Sequence, residues 1–70
     1  MLRNTLIDEV LKYVRDLNAK ILEAIRNEGY TDRVRVAREY FVDAIHLMLD
    51  KKLEEAAQKL RKARDLLEGI

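Results

Sequence analysis

A chain of 70 residues, 39% charged and 49% hydrophobic with formal net charge +1, describes a single small domain over residues 1–70 and excludes a disordered polypeptide. The absence of cysteine and the single histidine, His46, exclude a disulfide framework and a thiolate or histidine-rich metal site within one chain. A near-neutral balance gives no bulk attraction to nucleic acid or anionic lipid, and no apolar run approaches the roughly 18 residues of a membrane span. With no signal-like apolar run in MLRNTLIDEV, the chain is expected to be cytoplasmic.

The first helix is predicted over residues 5–27. Thr5 can cap it by accepting from the Asp8 amide, and Asp8 itself suits the positive end of the dipole. Apolar residues recur three and four apart at Ile7, Val10, Val14, Leu17, Ile21 and Ala24, and Leu6, Leu11, Tyr13, Leu22 and Ile25 widen the stripe. At about 100° per residue the stripe covers roughly half the helix. Gly29 marks the stop, because glycine takes a left-handed backbone without a side-chain clash. Tyr30 follows where an apolar residue often folds back on the last turn, and Thr31 and Asp32 are good caps for the next helix.

The second helix is predicted over residues 32–49, with Val34, Ala37, Phe41, Ala44 and Met48 as its central stripe. Tyr40, Val42, Ile45, Leu47 and Leu49 spread the apolar arc to roughly 200°, wider than one neighbouring helix covers. Beyond Leu49 the stripe changes phase. Leu53, Ala56, Leu60, Ala63, Leu67 and Ile70 lie about 100° from the continued helix-2 register. A break with Asp50 as N-cap of a third helix, and Glu54 and Glu55 in its first turn, restores the register. The fold class is therefore all-α, a three-helix bundle; the alternative is a helical hairpin with one long second helix, dimerising into a four-helix bundle. The expected core comprises Val10, Val14, Leu17, Ile21, Val34, Ala37, Phe41, Ala44, Met48, Leu53, Leu60 and Leu67.

Glu39, Asp43, His46 and Asp50 share one helix face, and Asp43-x-x-His46 has the spacing used in helical di-iron bundles. That chemistry needs a second such motif and further inward carboxylates. This face points away from the apolar stripe, so it is read as solvated, with no metal and no cofactor. The segment after residue 50 carries Lys51, Lys52, Lys59, Arg61, Lys62 and Arg64 against Glu54 and Glu55. A basic helix can follow phosphates. No aromatic is interleaved, and Glu55 with Lys59 makes a stabilising i, i+4 pair instead, so nucleic-acid binding by this helix is the alternative reading. No serine or cysteine nucleophile and no phosphate-cradling glycine loop is present, so no catalytic residue and no enzyme activity is expected.

From Ala37 the run AREYFVDAIHLMLDKKLEEAAQKLRKARDLLEGI resembles an archaeal family of small helical proteins. Tyr40, Phe41, Asp43 and Ala44 match its aromatic-aromatic-x-Asp-Ala motif, and Ala63, Leu66 and Leu67 match positions of its third helix. Arg64 and Asp65 stand where that family has His-Gly, and Lys51-Lys52 where it turns on Gly-Asp. The resemblance implies a three-helix bundle and adds nothing about chemistry. The departures run toward regular helix formers, the style of an engineered or redesigned scaffold.

The functional expectation is a non-catalytic module for protein–protein interaction or self-assembly. A monomer would leave part of the helix-2 arc open, and soluble monomers seldom keep such a patch without a use. A homodimer or another protein partner is expected there, through Tyr40, Val42, Ile45, Leu47 and Leu49, with Arg64 beside them.

Overall fold

A computed structural model describes residues 5–69, with side chains from Ile7 onward. Helices α1 (Thr5–Glu28), α2 (Asp32–Leu49) and α3 (Leu53–Glu68) form a three-helix bundle of 44 × 19 × 18 Å. The cap expected of the Thr5 side chain lies outside the described residues.

Each reversal has a local cause. At the end of α1, Gly29 takes φ 80° and its amide donates to the Ile25 carbonyl at 2.9 Å. This left-handed cap satisfies one of the helix's orphan carbonyls. Tyr30 stays 55% exposed. The Thr31 hydroxyl accepts from the Val34 amide at 3.2 Å and starts α2. Arg33 clamps both carboxylate oxygens of Glu28 at 2.7 Å across the turn.

The second reversal corrects the expected role of Asp50. It closes α2 instead of opening α3, and its amide still donates to the His46 carbonyl at 3.1 Å. Lys51 carries the turn at φ 62°, with its amide donating to Met48 at 2.9 Å and that of Lys52 to Leu47 at 2.8 Å. These two bonds are the Schellman pattern, which uses up two residues beyond the cap before a new helix can begin. The N-cap of α3 is consequently Lys52, which makes no side-chain cap bond. Two separate helices follow, and the single long second helix is ruled out.

Burial in the core falls on Val10, Leu17, Ile21, Val34, Ala37, Ala44, Ala56, Ala57, Leu60 and Ala63. Half of these positions are alanine. Small side chains let helix axes approach closely, and α2 and α3 share the most extensive contact of the bundle, while α1 rests mainly on α3 and touches α2 least. This rearranges the expected core. Ala56, Ala57 and Ala63 are inside, whereas Val14, Phe41, Met48 and Leu67 pack on the core's margin and are only half-buried. Leu53, at the first turn of α3, is also half-buried.

Candidate functional site

The helical period and the seams between helices fix which way each face looks. Tyr13, Asp16, Lys20 and Ala24 of α1 line shallow clefts with Leu60, Arg64, Leu67 and Glu68 of α3. That flank of α1 faces α3. On α2, Val36 and Tyr40 line a depression with Lys62 and Leu66, so that flank faces α3 as well. The opposite flank of each helix therefore turns toward the α1–α2 seam and out beyond it, on the side of the bundle away from α3.

These outer flanks are apolar. Large exposed hydrophobic residues of α1 are Ile7 at 39%, Leu11 at 50% and Leu22 at 55%; those of α2 are Val42 at 37% and Leu49 at 77%. Ile45 lies half-buried between Val42 and Leu49. Helical phase puts the α1 set and the α2 set on the same outer side. The antiparallel hairpin, turning at residues 29–31, brings Leu11 about level with Leu49 and Asn18 about level with Val42. The result is an open apolar face along the least-packed seam of the bundle. Its two ridges run for about 16 Å, from Leu11 and Leu49 to Leu22 and Arg38.

Charge around this face is mainly cationic, with Asp8 the one carboxylate at the helical phase of Arg15 and Arg26 on α1. Arg38 sits within the α2 ridge one turn before Val42, and Arg15 and Arg26 follow the outer edge of α1. None of the three has an ion-pair partner among the described residues. Arg35, further round α2, is held by Glu39 at 3.1 Å and lies 3.8 Å from Asp32.

The residues expected at a partner surface divide into three groups. Val42, Ile45 and Leu49 belong to the open face. Tyr40 and Leu47 turn the other way and pack on the core beside α3. Lys59 and Lys62 stand over the Tyr40 ring at 5.4 and 6.0 Å, within cation–π range. The alanines of α3 bring it near enough to cover this half of the arc. Arg64 lies on the third seam, 6.0 Å from the Tyr13 ring and 3.6 Å from Asp65. Its Nε is buried without a hydrogen bond, 3.8 Å from Glu68, which in turn meets Lys20 of α1 at 3.3 Å. Arg64 thus serves the α1–α3 junction, with its stem laid on apolar surface.

Ile7, Leu11, Leu22 and Arg38 are the members of the face that the sequence reading did not assign to it. The width of the α1 stripe was the available signal, since half a helix is more than two neighbours in a small bundle cover.

Other arrangements offer little chemistry. Glu39, Asp43, His46 and Asp50 are all exposed. Among the described residues no group of three or more His, Cys, Asp or Glu side chains is placed to hold a metal ion. The α1–α3 clefts measure about 150 and 80 Å³, below the roughly 300–1,000 Å³ of small-molecule sites, and a wider depression of about 360 Å³ is lined by Glu9, Lys12, Tyr13 and Asp16 of α1 alone and lies open to solvent. Among the described residues no helix is long and apolar enough to cross a membrane. Comparison with known proteins finds no matching family model, curated protein or solved structure.

Proposed function

We propose that this protein is a non-catalytic helical interaction module whose working surface is the outer α1–α2 face. One observation carries the reading. The bundle fills half of its core positions with alanine, and leaves Leu11, Leu22 and Leu49 half or more exposed. A folded domain this small has a thin core, and large side chains held outside it are available to a partner. Large apolar side chains gathered on one outer face mark an interaction site.

The alternative, phosphate binding by the basic third helix, lacks a surface. Lys59 and Lys62 flank Tyr40 on the α2 side, while Arg64 is on the α1 side among carboxylates. The cations of α3 therefore do not line up in one stripe, as a backbone-tracking helix requires.

Selection of amphipathic helical peptides from a displayed library tests the proposal, with a Leu11→Glu/Leu49→Glu double variant as counter-screen. Binders that fail on the double variant are expected. A library giving only binders indifferent to the two substitutions would overturn the assignment.

A further inference from the structure

We infer that the occupant of the α1–α2 face is an amphipathic helix with acidic flanks, which completes a four-helix arrangement. The inference rests on the interaction reading above and deepens it by naming the partner's chemistry.

The shape argument comes from packing. Two antiparallel helices form a groove on each side of their seam. In this bundle α3 fills one groove, and the other holds Leu11, Leu22, Val42 and Leu49 in the open, with Ile45 half-buried between them. A further helix packed there would bury both ridges at once, as in a four-helix bundle or a helix-in-groove complex. The length of about 16 Å between the ends of the ridges corresponds to about three helical turns.

The charge argument selects the sign. Arg15, Arg26 and Arg38 border or enter the groove and have no ion-pair partner among the described residues. Asp8 shares the helical phase of Arg15 and Arg26 at the other end of α1, one turn before Leu11, while Glu39 lies further round α2 and is engaged by Arg35, so three arginines face one carboxylate along the groove. A cationic border on an apolar groove favours carboxylates beside the partner's apolar stripe, as flanking charges do in helix pairing. A second copy docked face to face would bring arginine rims together, and like charges across an interface oppose it. The groove is also a less suitable seat for a lipid surface than the single convex amphipathic face of an interfacial helix.

Three synthetic helical peptides of about 18 residues, with one leucine stripe and Glu, Gln or Lys flanks, provide the test on the full chain. Fluorescence anisotropy should show the Glu-flanked peptide binding about tenfold tighter than the Lys-flanked one at low ionic strength. The gap should narrow toward parity as salt shortens the Debye length. In an Arg38→Glu/Arg26→Glu variant, checked by circular dichroism to be folded, the preference should reverse. Equal binding of all three peptides would overturn the acidic specificity and leave the interaction face standing. No binding by any of them, or binding untouched by Leu49→Glu, would overturn both. A dimer in sedimentation equilibrium that Leu49→Glu dissociates would assign the groove to a second copy. Preferential binding to phosphatidylserine-containing vesicles over every peptide would assign it to a membrane. Either result refutes the helical partner.

Discussion

Replacing Lys51 by glycine should raise stability, and the sign of the effect tests the break between α2 and α3. Lys51 holds φ 62° inside a Schellman turn. A left-handed backbone costs a side-chain-bearing residue about 1–2 kcal/mol. Glycine removes that cost but loses about 0.5–1 kcal/mol through the greater freedom of its unfolded chain. No ion pair of Lys51 offsets the gain among the described residues. The net change should be about 0.5–1 kcal/mol of stabilisation, or a melting temperature higher by about 2–8 °C for a domain of this size. Thermal and urea unfolding followed by circular dichroism would measure it. Lys52→Gly is the control: Lys52 has φ −96°, needs no left-handed freedom, and should gain nothing. In an unbroken helix glycine at position 51 would instead cost close to 1 kcal/mol. A destabilised Lys51→Gly protein would therefore refute the turn and restore the long second helix.

Leu60, 1% exposed at the centre of the bundle, should lose about 2–5 kcal/mol on conversion to alanine, enough to leave little folded protein in a urea titration. Ala63→Leu should destabilise by about 1–3 kcal/mol because α3 has no room for the larger side chain against its neighbours; an unchanged midpoint would mean that α2 and α3 stand further apart. Thr31→Ala should cost about 1 kcal/mol by freeing the Val34 amide, and Thr31→Ser should restore most of it. Both caps can be compared by thermal melting.

How much the sequence revealed depended on the kind of signal. Helix existence was plain from periodicity, Gly29 and Thr31, and the one-residue phase slip after Leu49 announced the second reversal. The chemistry of that reversal was not plain, because a lysine at a left-handed position leaves no mark in the sequence. Asp50 looked like a cap by composition, yet the Schellman bonds keep it on α2. The core was legible for Val10, Leu17, Ile21, Val34, Ala37, Ala44 and Leu60. It was misread at Ala56, Ala57 and Ala63, whose effect is to draw α2 and α3 together. The same closeness explains the partner surface. Tyr40 and Leu47 were expected on an uncovered arc, and α3 reaches them. What remains open is the flank beyond α1, where Ile7, Leu11 and Leu22 join Val42 and Leu49. A helical wheel shows how wide a stripe is; which half of it a third helix covers is decided by tertiary packing.

Amide chemical-shift mapping of the isotope-labelled chain, titrated with the Glu-flanked helical peptide, tests the central claim most directly. The account predicts that the changes concentrate at Ile7, Leu11, Leu22, Arg38, Val42, Ile45 and Leu49, with Tyr40, Lys59, Lys62 and Arg64 nearly still. Changes centred on those last four residues, or spread evenly over the bundle, would contradict it.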